Sequence, residues 1–190
     1  MKLALYGYGG HAREVAAQIG EEVEFYVDDE YANDVAKPIS SFNPKTHQMM
    51  VAIGDSKSRF NIVQRLPKEI IYFTFIHPTA LILDDNIKIG EGSFIGAYSI
   101  LTTNIKIGKH ALLNRANHIG HDCNIGDYFS AMPGAIVSGN VTIYDLVYLG
   151  TNASIREKIS VHSLSIIGMN SCVIKPIEEP GVYTGTPIKK

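Results

Sequence analysis

The chain has 190 residues, 45% of them hydrophobic and 19% charged, which excludes an intrinsically disordered protein and allows one domain or two small ones. Its 17 basic and 19 acidic residues give a net charge of −2 and form no basic run, so we expect no nucleic-acid partner. The two cysteines have no disulfide or zinc spacing, and the apolar N-terminal run is too short for a signal peptide or a membrane span. We therefore expect a cytoplasmic protein without membrane attachment.

The first predicted elements are a strand over residues 2–6, a glycine turn and a helix that continues to residue 19. Gly7, Gly9 and Ala12 match the G-x-G-x-x-A spacing, whose small residues let a helix N-terminus approach a phosphate. A second strand, residues 23–27, ends at Asp28 and Asp29, where a carboxylate can accept hydrogen bonds from a ribose or a base. A tight turn and a solvated strand end remain the alternative interpretation.

A third apolar run, residues 49–53, ends at Gly54, and a helical pattern follows Arg59. These elements make one half of a dinucleotide-binding fold, which predicts a mononucleotide ligand rather than NAD. We place the boundary near residue 76, with a Rossmann-like nucleotide-binding domain over 1–76 and a second domain over 77–190. The candidate substrate-binding residues of the first domain are Gly7, Gly9, Gly10, His11, Asp28, Asp29, Gly54 and Arg59.

The second domain has a period of six residues. A register that begins at Leu83 and ends at Val173 contains sixteen positions, of which fifteen are Ile, Leu or Val. Small residues often follow four positions later, and glycines often follow directly, as expected where a chain turns sharply or two backbones approach closely. A period of six fits neither an α-helix nor a plain strand, but it fits short parallel strands around a triangular core. Eighteen residues per coil predict a prism of about five coils.

Several motifs carry a resemblance to a known family over nearly the whole chain. The segments are Gly9 to His11 with Asp28 and Asp29, Leu113-Asn114, residues 119–127 (IGHDCNIGD), residues 133–135 (PGA), residues 138–141 (SGNV) and residues 185–187 (GTP). Together they resemble the bacterial hexapeptide-repeat sugar acyltransferases, which include nucleotide-amino-sugar N-acetyltransferases and sialic acid O-acetyltransferases. The resemblance implies a left-handed parallel β-helix, a homotrimer with active sites between neighbouring prisms, acetyl-CoA as cosubstrate and no metal.

The resemblance also implies roles for individual residues. His121 would be the general base, Asp122 or another nearby carboxylate would orient it, and Asn114 would hold the sugar. The backbone N–H of Gly139 would donate to the thioester carbonyl. Gly150, Thr151 and Gly168 would line the acetyl-CoA groove. Beside these, our further candidates for binding acetyl-CoA are Ser130, Lys175 and Pro187. The chain departs from many relatives in having Asp122 instead of glutamate, and from some in having Ser130 where they carry a second histidine.

We therefore predict transfer of an acetyl group from acetyl-CoA to the amino group of a nucleotide-linked amino sugar, of the UDP-4-amino-sugar or GDP-perosamine type, for surface glycan biosynthesis. A histidine can accept the amine proton at neutral pH without a covalent intermediate. His118 is an alternative base. The alternative functions are O-acetylation of a sialic-acid-like sugar, a zinc enzyme like the γ-carbonic anhydrases, and a non-catalytic trimeric binding module.

Overall fold

The structure is a computed structural model that describes residues 1–189. Residues 1–66 form a parallel four-stranded sheet in the order β3-β2-β1-β4. The elements are β1 (Lys2–Tyr6), α1 (Gly10–Ile19), β2 (Val23–Val27), β3 (Ala36–Pro38), β4 (His47–Val51) and α2 (Ser56–Arg65), with 3₁₀ turns at Asp29–Tyr31 and Ile39–Ser41. Helix α1 buries Ala12, Val15 and Ile19, which are spaced as one face of a helix. This is the predicted half of a Rossmann fold.

The rest of the chain winds through eighteen two-residue strands, which pair in parallel as three sheets. Face A contains β5 (Phe75–Ile76), β8 (Phe94–Ile95), β11 (Leu112–Leu113), β14 (Ser130–Ala131), β17 (Tyr148–Leu149), β20 (Ile166–Ile167) and β22 (Val182–Tyr183). Face B contains β6 (Leu81–Ile82), β9 (Ile100–Leu101), β12 (His118–Ile119), β15 (Ile136–Val137), β18 (Ser154–Ile155) and β21 (Cys172–Val173). Face C contains β7 (Lys88–Ile89), β10 (Lys106–Ile107), β13 (Asn124–Ile125), β16 (Thr142–Ile143) and β19 (Ser160–Val161). The predicted triangular β-helix is confirmed.

The β-helix begins earlier than the period of six predicted. Leu83 was expected to point inward, but it is 61% exposed, and Ile82 pairs with Leu101 in its place. One extra residue lies between the inward positions Ile82 and Ile89, so the strict eighteen-residue spacing starts only at Ile89. Because β5 and β6 precede that point, eighteen strands make six coils, one more than predicted.

The corners explain how the chain turns every six residues. Non-glycine residues with a positive φ recur at intervals of six from Tyr98 to Asn170, and Gly134 takes the one remaining position. The glycines that follow the inward residues have a different purpose. A methyl group at Gly90 would lie 2.5 Å from the carbonyl carbon of Gly108 in the next coil. Of the two reasons predicted for these glycines, close approach of backbones is the one that applies.

The core of the β-helix consists of the two predicted inward columns. The large column is buried from Leu101 to Val173, and the small column is buried from Ser93 to Ser171 except at Ile159, which is partly buried. Phe129 and Ala131 are both fully buried, so a large residue in the small column is matched by a small one in the large column. Side chains therefore fill the interior of the prism, so any functional residues must lie on its corners and outer faces.

The first domain packs on face A. The outward residues Phe94, Leu112 and Ser130 of this face are buried for that reason. From the first domain, Gln18 accepts a hydrogen bond from the backbone of Ala97. The change from one domain to the other stays proposed near residue 76, next to β5. Within residues 1–189, no helix has the length and apolar character needed to cross a bilayer.

Candidate active site

His121 lies on the corner between β12 of face B and β13 of face C, and 56% of its side chain is exposed. Its Nδ1 is 2.7 Å from Oδ2 of Asp122, so the carboxylate that the resemblance implied does contact the imidazole. A carboxylate at this position favours the tautomer in which Nδ1 donates and Nε2 is free to accept a proton. Asp122 has a φ of 59°, a left-handed conformation that aspartate tolerates well.

The Asp122 carboxylate is kept ionised by its neighbours. Asn104 donates from Nδ2 to Oδ1 of Asp122 at 2.6 Å, and this bond, followed by the one from His121, lowers the pKa of Asp122. Both carboxylate oxygens are thus engaged at neutral pH. Asp122 therefore orients His121, and Asn104 in turn holds Asp122 in place.

Gly139 lies eighteen residues after His121, one coil further along the same corner. A methyl group at Gly139 would lie 2.5 Å from Nε2 of His121, which means that the imidazole covers the Cα of this glycine. The backbone N–H of Gly139 donates no hydrogen bond within residues 1–189. The structure therefore brings a free N–H donor and the accepting nitrogen of His121 to one place.

The other residues implied in acetyl-CoA binding lie on two different corners. Lys175 is on the His121 corner three coils further on, about 14 Å along the prism, and with Pro187 it lines a cavity of about 150 Å³. Gly150, Thr151 and Gly168 are on the corner between faces A and B, where a methyl group at Gly150 would lie 2.6 Å from the N of Met169. Within one chain these two sets are separated by face B.

Two further candidates do not join His121 in the same chain. Asn114 is on the corner between faces A and B, is buried, and accepts a hydrogen bond from the N of Arg115. His118 is exposed on face B, in strand β12, three residues before His121 on the following corner.

The N-terminus of α1 is open. Gly7 has a φ of 114°, and a methyl group there would lie 2.9 Å from Cδ1 of Ile53, so the turn requires glycine. Around Gly9 and Gly10, by contrast, no atom lies within 4 Å of an added methyl group, and no side chain caps the helix. Helix α2 differs because Asp55 caps it, accepting from the N of Ser58 at 2.7 Å. The free N–H groups of α1 suit an anion such as a phosphate.

His11 follows these glycines in the first turn of α1. Its Nε2 is buried and has no hydrogen-bond partner in the described part of the chain. Burial, and then the positive charge of Arg59, lower the pKa of His11, so the imidazole is neutral at pH 7. The ring faces Gly54 at the end of β4.

Asp28 and Asp29, the acidic pair after β2, already accept hydrogen bonds from other residues of the chain. Asp28 accepts from both terminal nitrogens of Arg65 and from the hydroxyl of Tyr6 at 2.6 Å, and Arg65 lowers the pKa of Asp28. Asp29 accepts from the N of Ser40 at 3.0 Å and is otherwise exposed. Arg65 was not predicted as a site residue, since a single basic residue at a helix end carries no motif.

Arg59 and Ser130 were predicted to bind ligands, but the structure uses both to join the domains. Arg59 is 1% exposed and donates to the carbonyls of His110, Tyr128 and Phe129, at 2.9 to 3.0 Å. Burial lowers its pKa to about 10, so it remains charged. The hydroxyl of Ser130 is fully buried and donates to the carbonyl of Gly54 at 2.8 Å. Neither side chain is accessible to a ligand in this chain.

A cavity of about 300 Å³ lies where the end of β4 meets face A. It is lined by Gly54, Asp55, Met132, Tyr148 and Ile166. The cavity and the open α1 terminus belong to the side of the prism covered by the first domain. The His121 corner lies between faces B and C, opposite that side.

No group of three or more His, Cys, Asp or Glu side chains within residues 1–189 is arranged to hold a metal ion. A zinc enzyme like the γ-carbonic anhydrases would need histidines that converge on one point, and His110, His118, His121 and His162 do not converge.

Comparison with known proteins relates the two domains to one family. Residues 2–66 match the PglD N-terminal domain. The GDP-perosamine N-acetyltransferase of Escherichia coli O157:H7 is 27% identical over 180 residues, which cover 85% of this chain and 81% of that protein. WeeI from Acinetobacter baumannii AYE has a TM-score of 0.89 at 29% identity, covering 100% of this chain and 99% of that one. The acetyltransferase domain of PglB from Neisseria gonorrhoeae FA1090, in complex with acetyl coenzyme A, has a TM-score of 0.87 at 27% identity, covering 99% and 98%. The chain is therefore similar over its whole length to sugar N-acetyltransferases, and it shares their architecture of a half-Rossmann domain followed by a left-handed parallel β-helix.

Proposed function

We propose that the protein transfers the acetyl group of acetyl-CoA to the amino group of a nucleotide-linked amino sugar, of the GDP-perosamine or UDP-4-amino-sugar type. The observation that carries the proposal is the arrangement at the corner, where Nε2 of His121 lies over Gly139 while Asp122 holds Nδ1. The relative from Escherichia coli that acts on GDP-perosamine, and the gonococcal domain bound to acetyl coenzyme A, support the two substrates.

The reaction needs a base and an oxyanion donor, and the corner supplies both. As the sugar amine attacks the thioester carbonyl, Nε2 of His121 accepts the amine proton and the N–H of Gly139 donates to the developing oxyanion. The C–N bond then replaces the C–S bond, and the proton passes from His121 to the departing CoA thiolate. Asn114 is proposed to hold the sugar. Lys175 and Pro187 are proposed to contact CoA further along the corner, and Gly150, Thr151 and Gly168 to line its groove.

The nucleotide is proposed to bind at the first domain. The α1 terminus at Gly9 and Gly10 would take the phosphates, because no side chain caps it and an added methyl group at either glycine would meet no neighbour within 4 Å. Neutral His11 can donate to or accept from the substrate without adding charge. Asp29 has lone pairs available for ribose or base donors. The cavity beside Gly54 has room for a sugar.

We also propose a homotrimer in which each site combines two chains. The proposed nucleotide site is on the face A side, whereas His121 is on the opposite corner, so one chain cannot bring a nucleotide sugar to its own base. Face B exposes the apolar residues Leu81 and Ile136, which a neighbouring prism would cover. Face C differs because its outward residues are polar: Lys88, Lys106, Asn124, Thr142 and Ser160.

A cytoplasmic location is part of the proposal. Cys123 and Cys172 are unpaired, which suits a reducing compartment. Cys123 is buried and packs in the small inward column.

The proposed reaction is tested with a panel of UDP-, GDP- and dTDP-linked amino sugars and acetyl-CoA, with release of free thiol as the measurement. We expect thiol release with at least one amino sugar and none with the same nucleotide sugar carrying a hydroxyl in place of the amine. Turnover only with a sialic-acid-like acceptor would show O-acetylation instead. A failure to bind CoA in calorimetry would contradict any transferase function.

Asp29→Ala should raise the KM for the nucleotide sugar about tenfold, which corresponds to one lost hydrogen bond to a charged group. The KM for acetyl-CoA should stay within twofold, because the two substrates are proposed to use different domains. Glu30→Ala, which removes the adjacent exposed carboxylate, is the matched control and should change neither KM. A parallel rise in both KM values would assign Asp29 to the loop that it bonds at Ser40.

A further inference from the structure

Asn104 lies on the same corner of the prism as Asp122, one coil and eighteen positions earlier in the chain. It has a φ of 50°, and its amide points along the corner so that Nδ2 donates to Oδ1 of Asp122 at 2.6 Å. The other oxygen of Asp122 is the one that pairs with Nδ1 of His121. Asn104 therefore contacts the carboxylate from the side opposite the imidazole.

Asn104 is itself anchored by a carboxylate in the first coil. Oδ2 of Asp84 accepts from the backbone N of Asn104 at 3.0 Å and from the hydroxyl of Thr103. Oδ1 of Asp84 accepts from the N and Nδ2 of Asn86 at 2.9 and 3.0 Å. These donors lower the pKa of Asp84 to about 2, so it stays ionised and keeps accepting them. The extra residue of the first coil lies in this turn, between Ile82 and Ile89.

The resulting line of contacts runs from Asp84 through Asn104 and Asp122 to His121. Asp122 is 43% exposed and could otherwise rotate toward solvent, which would release Nδ1 of His121. Asn104 opposes that rotation because its amide can only donate at Nδ2, and the ionised carboxylate is its acceptor. An imidazole without this support would exchange between its two tautomers, and only one of them leaves Nε2 free as a base.

We propose that Asn104 is a positioning residue, which holds Asp122 so that His121 stays in the tautomer protonated at Nδ1, and that Asp84 fixes Asn104 in turn. The consequence for catalysis rests on the proposed acetyl transfer. The effect on the tautomer does not depend on it.

The tautomer is measured directly by ¹⁵N NMR of the imidazole nitrogens in the full-length protein. The wild type should show His121 protonated at Nδ1. Asn104→Gly removes the amide and suits the left-handed backbone, and it should produce a mixture of tautomers. Asn104→Asp keeps the shape but places a carboxylate against Asp122, and it should give the same mixture. The control is Asp145→Asn at another corner, where Oδ1 accepts from the N of Asp127 at 2.8 Å, and it should leave His121 unchanged.

Steady-state kinetics then test the role in turnover. Asn104→Gly should lower kcat on the order of tenfold with both KM values within twofold, a smaller loss than removal of the base itself. Asp145→Asn should keep kcat within twofold. An unchanged tautomer in both Asn104 variants overturns the proposal, as does an unchanged kcat in a variant whose tautomer has shifted. If the wild type transfers no acetyl group, the proposed function fails, and the NMR result alone decides whether Asn104 positions the pair.

Discussion

His121→Ala should lower kcat by at least two orders of magnitude, while the KM values for both substrates stay within about threefold. General-base catalysis contributes about 10² to 10⁴ in rate, and an alanine cannot accept the amine proton. The binding elements remain in the variant, because the imidazole covers the Cα of Gly139 and, within residues 1–189, makes its one polar contact with Asp122. Thiol release under saturating substrate gives kcat, and a substrate titration gives each KM.

His118→Ala is the matched control for this measurement. His118 is an exposed histidine three residues away, and it should retain kcat within twofold. If His121→Ala keeps its rate within tenfold while His118→Ala abolishes turnover, the base is His118. Loss of activity in both variants would indicate that the two histidines act together.

Two inactive variants should restore activity when they assemble into mixed trimers. One chain carries His121→Ala and keeps its nucleotide site, and the other carries Gly10→Glu and keeps its base. If each active site takes the first domain of one chain and His121 of its neighbour, every mixed trimer has one complete site. Random assembly of equal amounts should then recover about a quarter of the wild-type activity per site. Each variant assembled alone should be inactive.

Gly10→Glu is chosen because the fold can accept it. Gly10 begins α1, its φ is not positive, and no atom lies within 4 Å of an added methyl group. A carboxylate in the first turn favours the helix, yet it would repel the phosphates of the substrate. Gly10→Gln is the uncharged control and should retain most of the activity. Absence of recovery in confirmed mixed trimers would mean that one chain builds its own site, against the opposite placement of face A and the His121 corner.

The repeat in the sequence determined the β-helix, but it did not determine where the β-helix begins. From Ile89 onward every sixth residue must fill the same core column, so spacing alone identifies the inward side chains. Near the start, Leu81, Ile82 and Leu83 are three consecutive aliphatic residues, and hydrophobicity cannot select the one that points inward. Strand pairing with the next coil selects Ile82 and leaves Leu83 in solvent.

Among the site residues, too, some positions follow from the repeat and others depend on the tertiary structure. His121 and Gly139 are eighteen residues apart, and the repeat places residues at that separation on one corner, although the resemblance alone was the basis for assigning both of them. Asn104 is eighteen residues before Asp122 and could have been found by the same rule. The roles of Arg59 and Ser130 could not, because they depend on how the first domain packs on face A, with contacts between residues about 70 positions apart in the chain. Such packing depends on the shape of two folded surfaces, and only the tertiary structure shows that these polar groups are needed there to satisfy buried backbone carbonyls.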